Sequence, residues 1–289
     1  MKVAFLGLGT MGYPMAGHLQ RNGQQVCVYN RTVAKSRQWT DEYGGRFAET
    51  PAAAAAGAEI IFTCVGNDDD LRQVVQADDG AFAGMSAGAV LVDHTTASAE
   101  VARELDASTR ARGLHFIDAP VSGGQAGAQN GVLSIMCGGA PEVFARIEPV
   151  IAAYGKSCRL LGDAGSGQLA KMVNQICVAG AVQGLAEAVH FAKRSGLDGR
   201  AVFDVIRHGA AGSWQMDNRH EAMLDGRFDF GFAVDWMRKD LRIALDEARN
   251  NGASLPITAL LDQFYADIQA MGGGRWDTCS LVRRLERDD

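Results

Sequence analysis

The sequence predicts an α/β fold: a Rossmann-type, doubly wound parallel sheet in the first half of the chain and an all-α domain in the second, joined by a long interdomain helix. Three observations carry that prediction. Short apolar runs alternate with helical patterns up to about residue 162, the signature of strand–helix–strand units and a parallel sheet. A glycine turn, GLGTMG at 7–12, follows the first apolar run and opens the first helical pattern. From GDAGSGQ at 162–168 onward the pattern is helical almost to the end. The expected boundary separates a nucleotide-binding domain at 1–162 from a helical substrate and oligomerisation domain at 163–289.

In the first domain the expected strands are 2–6, 25–29, 60–65, 89–93, 115–119, 132–137 and 159–161. Helices are expected between them at 11–22, 34–42, 68–75, 97–112 and 141–154, and the PAAAAAGA run at 51–58 reads as a short helix packed close to the sheet. The second domain carries helical patterns at about 168–194, 199–208, 214–225, 232–251 and 257–271. Its connections are short and contain Gly or Pro, as at Ser195-Gly196 and Pro256.

Composition bounds the function. A chain of 289 residues with 47% hydrophobic and 21% charged residues has ample material for a core, which argues against a disordered or fibrous protein. The net charge of −6 provides no broad basic field for nucleic acid, so any anion must be held by a local group. Six cysteines, at 27, 64, 137, 158, 177 and 279, are scattered with no C-x-x-C pair, and no metal site is expected. The N-terminus runs straight from an apolar strand into the glycine turn, unlike a secretory leader, and no segment reads as the ~20 apolar residues that span a bilayer. The expectation is a cytoplasmic protein without a membrane partner.

The turn Gly7-Leu8-Gly9-Thr10-Met11-Gly12 sits where a dinucleotide site needs it, after a strand and at the start of a helix. Gly7 permits the tight turn, Gly9 lets a pyrophosphate approach the backbone, and Gly12 allows close helix–strand packing. The helix N-terminus then offers N–H groups to the phosphates. In NAD-selective sites a carboxylate about 20 residues on holds the ribose 2′-hydroxyl. Here that position reads Asn30-Arg31-Thr32, with Lys35 close by. A carboxylate would repel a 2′-phosphate, whereas an amide, a guanidinium fork and a hydroxyl suit it, so NADP is expected rather than NAD. Further cofactor contacts are expected at strand ends, Cys64-Val65-Gly66 and Thr96.

Two segments carry chemistry. In DAPVSGGQAGAQNG at 118–131, Ser122-Gly123-Gly124 follows a strand, and consecutive glycines can turn N–H groups inward beside the Ser122 hydroxyl, which suits a substrate carboxylate. In GSGQLAKMVNQ at 165–175, Lys171, Asn174 and Gln175 share one helix face at the domain junction, an ammonium beside two amides. Trp214, Met216, Phe230 and Phe232 are either core or close the pocket from the helical domain, Trp214 being counted among the substrate contacts. Gly180 and Gly184 allow another helix to approach, from this chain or a partner.

These stretches, with GLGTMGYPMAGHL at the N-terminus and WMRKDLRIALDEA at 236–248, resemble the β-hydroxyacid dehydrogenases over nearly the full length and in the family's order. That family contains 3-hydroxyisobutyrate dehydrogenase, tartronate semialdehyde reductase and glyoxylate/succinic semialdehyde reductases. The resemblance implies that Lys171 is the catalytic acid/base, that Ser122, Gly123 and Gly124 hold a small carboxylate substrate, and that Lys239, with Asp240, closes over the cofactor. It also implies a homo-oligomer, a dimer or tetramer. Which of Asn174 and Gln175 assists Lys171 stays open, because some members place the amide four residues after the lysine. The expected reaction is reversible hydride transfer between NADPH and a semialdehyde, 2-oxo acid or 3-hydroxy acid. The alternatives are an imine reductase on the same scaffold and a non-catalytic NADP-binding module.

Overall fold

The computed structural model describes residues 1–286. The chain divides into two compact units, Met1–Lys171 and the remainder from Met172.

The first unit is built on strands β1 (Lys2–Leu6), β2 (Gln25–Tyr29), β3 (Arg46–Phe47), β4 (Ile60–Thr63), β5 (Val90–Asp93), β6 (His115–Asp118), β7 (Val121–Ser122), β8 (Leu133–Gly139) and β9 (Gly155–Leu160). They lie in the order β3-β2-β1-β4-β5-β6-β8-β7, with β9 on β8. The strands from β3 to β6 are parallel. β8 runs antiparallel to β6, pairing Ile117 with Gly139 and Asp118 with Gly138, so the parallel sheet that the sequence predicts carries an antiparallel addition beyond β6. An apolar run hides the same side chains whichever way the strand points, so its direction was not written in the pattern.

Helices α1 (Gly12–Arg21), α2 (Val33–Tyr43), α3 (Pro51–Ala55), α4 (Asp68–Gln76), α5 (Ala81–Gly84), α6 (Ala99–Arg110), α7 (Gly124–Asn130) and α8 (Pro141–Ile151) cover both faces. Side chains alternate across β1: Val3 and Phe5 enter a core with Met15 and Leu19 of α1, Trp39 of α2 and Ile147 of α8. Ala4 and Leu6 enter a second core with Ala55 of α3, Leu71 of α4 and Leu105 of α6. This two-sided burial is the doubly wound arrangement. Trp39 is fully buried, and its indole N–H donates to the Tyr13 carbonyl at 3.1 Å, so the one polar group brought inside with that large ring is satisfied.

The 29-residue helix α9 (Ser166–Arg194) crosses the division between the units. The second unit continues with α10 (Gly199–Ile206), α11 (Trp214–Asp225), α12 (Val234–Asn251), α13 (Pro256–Ala270), a 3-10 turn at Thr278–Ser280 and α14 (Leu281–Leu285). Local chemistry sets the helix ends. Ser213 accepts from the Met216 N–H to start α11, and the left-handed Gly226 and Gly252 stop α11 and α12. By length and composition α9 is long and apolar enough to cross a bilayer. Its Ala179, Val182, Ala186 and Val189 instead lie in the core of the second unit with Met223, Met237, Leu241 and Tyr265, as in the core helix of a globular domain.

Candidate active site

The glycine turn is fixed by close approaches that only glycine tolerates. Gly7 leaves β1 at φ 104, and a Cβ there would run into the Cys64 carbonyl. A Cβ on Gly12 would run into the Gly7 carbonyl. Gly9 differs: no heavy atom lies within 4 Å of the point a Cβ would occupy, so its backbone faces open space at the mouth of the turn. That is the fit a pyrophosphate requires.

Asn30 has a task that the sequence did not suggest. Its Oδ1 accepts from the Leu8 N–H at 2.9 Å and its Nδ2 donates to the Thr32 carbonyl at 3.1 Å, so the carboxamide ties the glycine turn to the end of β2. The sequence offered no signal for a contact across 22 residues. Arg31 and Lys35 are exposed beside it, and the Arg31 guanidinium lies 3.6 Å from Asp70, an exposed pair of small energetic weight.

The ends of β4 and β5 are joined by hydroxyls. The Val65 N–H donates to Thr95 Oγ1 at 3.1 Å, so Thr95 makes the strand-end bond and the neighbouring Thr96 is half-buried after it. Cys64 is held by its N–H on the Leu6 carbonyl at 2.9 Å, and Gly66 leads to Asn67, which caps α4 through the Asp70 N–H at 2.8 Å. Behind them, Asp93 Oδ1 accepts from Thr63 Oγ1 and the Thr95 N–H, and burial pushes its carboxyl up to about 7. His94 is also buried. Its Nδ1 lies 2.6 Å from the Ala119 carbonyl, which can only accept, so Nδ1 bears the proton and Nε2 accepts from the Tyr154 hydroxyl at 2.8 Å. Burial pushes this imidazole down to about 4, which keeps it neutral.

Ser122 ends β7, and Gly123 (φ 133) and Gly124 (φ 63) turn the chain directly into α7. The segment is a two-residue strand followed by a short helix. Positive φ at both glycines is the backbone condition for aiming successive N–H groups beside the Ser122 side chain.

Lys171 lies in the second turn of α9 and is only 7% exposed. The start of that helix is anchored by two buried groups the sequence reading did not single out. Asp118, at the end of β6, accepts from the Gly165 N–H at 2.7 Å and the Gln168 N–H at 2.8 Å. Burial pushes its carboxyl up to about 6 against the opposing pull of these N–H bonds. Gln168 accepts from the Ala97 N–H at 3.1 Å and donates to the Thr95 carbonyl at 2.7 Å. The available signal for Asp118 was a lone carboxylate at the end of an apolar strand beside a glycine turn. Gln168, one polar residue among several in a helix start, offered none.

In the second unit Asn174 Nδ2 donates to Gln175 Oε1 at 2.7 Å, Gln175 Nε2 donates to Asp240 Oδ2 at 2.6 Å, and Lys239 Nζ lies 3.1 Å from Asp240 Oδ1. Both ends of the Gln175 amide are thus engaged, and Lys239 is held by its neighbour. Of the four core or pocket candidates, Met216 is buried in the core and Phe232 packs on it, whereas Trp214 and Phe230 are exposed with the Arg219 guanidinium 5.0 Å from each ring. The glycine turn, Asn30, Cys64, Val65, Thr96, Ser122–Gly124 and Lys171 all belong to the first unit. In the second unit Asn174, Gln175 and Asp240 form a hydrogen-bonded chain, with Lys239 ion-paired to Asp240. Among the described residues no group of His, Cys, Asp or Glu is arranged to hold a metal ion.

The NAD-binding domain of 6-phosphogluconate dehydrogenase matches residues 2–162, and the NAD-binding domain of NADP-dependent 3-hydroxyisobutyrate dehydrogenase matches residues 165–285. An uncharacterized oxidoreductase of Shewanella frigidimarina is 63% identical over 99% of this chain and 98% of its own. The 2-hydroxy-3-oxopropionate reductase of Escherichia coli is 34% identical over 99% of this chain and 97% of its own. The structure of Mycobacterium tuberculosis 3-hydroxyisobutyrate dehydrogenase with L-serine superposes with a TM-score of 0.87 at 28% identity, covering 98% of both chains. With its Rossmann unit and helical C-terminal unit, the chain belongs to the β-hydroxyacid dehydrogenase family of NAD(P)-dependent oxidoreductases.

Proposed function

We propose that this chain reduces a short, carboxylate-bearing semialdehyde or 2-oxo acid with NADPH, and oxidises the corresponding hydroxy acid in reverse, with Lys171 as the general acid/base. The observation that carries the reading is an ammonium kept 7% exposed in the second turn of a helix whose start is bonded to the ends of β5 and β6. A surface lysine needs no such burial. Bound nicotinamide supplies or accepts the hydride. Lys171 stabilises the alkoxide that develops on the substrate carbonyl and donates a proton to it, and in the oxidative direction its neutral form accepts the hydroxyl proton. Asn174 or Gln175, bonded to each other and onward to Asp240, is the assisting amide. Ser122 and the backbone of Gly123 and Gly124 receive the substrate carboxylate.

NADP preference rests on Arg31, just past β2, and Lys35, in the first turn of α2, two exposed cations with no acid at the usual NAD-selecting position. Asn30 contributes by holding the Gly7–Gly12 turn in shape. The Asp70 carboxylate beside Arg31 would have to yield that guanidinium to a 2′-phosphate, an exchange that an exposed, weak pair allows. Six cysteines without a disulfide suit a reducing, cytoplasmic compartment. The exposed Val173, Cys177 and Phe191 on α9, with open space over Gly180 and Gly184, support assembly into a homo-oligomer.

The test is a panel of succinic semialdehyde, glyoxylate and a cyclic imine, each assayed with NADPH and with NADH. The reading expects turnover of a carbonyl acid with NADPH, at least about tenfold better than with NADH, the factor that 1.4 kcal/mol of 2′-phosphate binding supplies. Preferential turnover of the imine would replace it with imine reduction. Nucleotide binding without turnover of any carbonyl would make the chain a binding module.

A further inference from the structure

The carboxylate of Asp118 does for α9 what a capping box does for a helix from within its own sequence, but from another strand. In a capping box one side chain satisfies the N–H at the third helical position and a second reaches back to the N–H of the cap residue. Here Gly165 is the residue before α9, and Asp118 takes both roles: Oδ1 on the Gly165 N–H at 2.7 Å and Oδ2 on the Gln168 N–H at 2.8 Å. Two glycines let the backbone close on it. A Cβ on Gly138 would lie 2.6 Å from Asp118 Oδ1, and one on Gly167 would lie 2.7 Å from Oδ2. The carboxylate is completely buried, which a structural cap on an exposed helix end would not require.

Two consequences follow from where Asp118 stands in the chain. The substrate loop begins at the next residue, Ala119, and reaches Ser122 three residues later. The helix start it holds carries Lys171 three residues beyond Gln168, one turn on. One carboxylate is thus covalently continuous with the loop and bonded to the helix. Gln168 adds a second tie, from the same helical turn to Thr95 and Ala97 after β5.

The geometry points to Asp118 as a positioning residue that sets Lys171 against the Ser122–Gly124 loop by clamping the start of α9 to the end of β6. The inference rests on Lys171 being the acid/base proposed above. Asp118 touches neither substrate nor cofactor in this role and acts through Lys171. In Asp118→Asn one of the two acceptors becomes an N–H donor facing a backbone N–H, so the helix start must shift or turn, and a displacement of about 1 Å at a reacting group can cost 10²-fold in rate.

The experiment is a double-mutant cycle on the full chain, with Asp118→Asn and Lys171→Ala alone and combined, glyoxylate and succinic semialdehyde as substrates, and NADPH affinity read by nucleotide fluorescence. The expected result is a fall in kcat of roughly 10–100-fold for Asp118→Asn, with NADPH affinity within about twofold of wild type. In the Lys171→Ala background the same change should alter the residual rate by less than about twofold, because the group being positioned is gone. Equal loss in both backgrounds would make Asp118 a general structural residue and overturn the inference, as would an unchanged kcat in Asp118→Asn. If Asp118→Asn does not fold, Gln168→Met, which loosens the same helical turn, is read in the same cycle by the same criteria. If Lys171→Ala retains wild-type rate, the acid/base reading fails and the inference falls with it. If Lys171→Ala is impaired and Asp118→Asn is not, the inference alone fails.

Discussion

Asp93 and His94 occupy adjacent buried positions with opposite responses to pH. Burial raises the Asp93 carboxyl from its ordinary value near 4 to about 7, so the folded state holds its proton more tightly than the unfolded chain. Its contribution is full below about pH 4 and is lost as pH rises to about 7. Asp118, which faces Asp93 across the β5–β6 pairing and is raised to about 6, acts in the same direction. His94, lowered to about 4, acts in the opposite sense: its contribution is full above about 6.5 and is lost as pH falls towards 4. Asp93→Asn mimics the protonated acid and keeps the acceptor for Thr63 and Thr95. It is expected to match wild type near pH 5 and to melt higher near pH 9, by roughly 2–4 °C per kcal/mol of ionisation cost removed. A wild type that melts higher than the variant at pH 9 would contradict this. Asn30 makes a second prediction at this scale. Arg31→Ala should weaken NADPH by about 10–100-fold, the range of a lost charge-assisted hydrogen bond, and leave NADH within about twofold, whereas Asn30→Ala should weaken both through the glycine turn. Titration calorimetry with the two nucleotides separates these outcomes. The exposed placement of Arg31 just past β2 was legible in the sequence, because a charged residue directly after an apolar strand stays in water. The role of Asn30 was not, because it depends on where the Leu8 N–H comes to lie.

Elements with a long, clean signal were legible from the residues. KVAFL and QVCVY are apolar runs closed by a glycine turn or by Asn30, and β1 and β2 occupy the expected residues. The alanine run at 51–58 forms a helix over Pro51–Ala55, α3, started by Pro51 and capped by Thr50 through the Ala53 N–H. The two-residue β3 and β7 have no period to detect, and α7 was hidden by glycines that argue for a turn. The reversal of β8 was hidden for another reason, since strand direction leaves no trace in burial. The glycine turn carries the prediction at this scale. Gly12→Ala drives a Cβ into the Gly7 carbonyl between β1 and α1, so it should cost NADPH binding by at least about tenfold and lower the melting temperature as well. Gly9→Ala meets no protein atom and should leave the apo melting temperature within about 2 °C while still weakening NADPH, because the space it fills is the one the pyrophosphate needs. A Gly9→Ala variant that binds NADPH normally would place the nucleotide elsewhere.

At the scale of the molecule, two units with separate apolar cores divide the expected site residues: the glycine turn, the β2 end and Lys171 lie in the first, and Gln175, Asp240 and Lys239 in the second. Hydrogen exchange with saturating NADPH should protect peptides covering 7–12, 30–35 and 63–67 most strongly, since these line the carboxyl ends of β1, β2 and β4. Protection confined to other segments would contradict the placement of the nucleotide. Fold class was legible at this scale because alternation and its loss after residue 162 are global patterns. The anchoring of α9 by Asp118 and Gln168 was not, since it joins residues 47 to 73 positions apart that only the folded chain brings together. The central claim is that Lys171 moves the proton in the reaction, and its most direct test is single-turnover reduction by pre-bound NADPH, comparing wild type with Lys171→Ala. The account predicts that the chemical step slows by about 10²–10⁴-fold with NADPH affinity unchanged. A step that stays within a few-fold of wild type would contradict it.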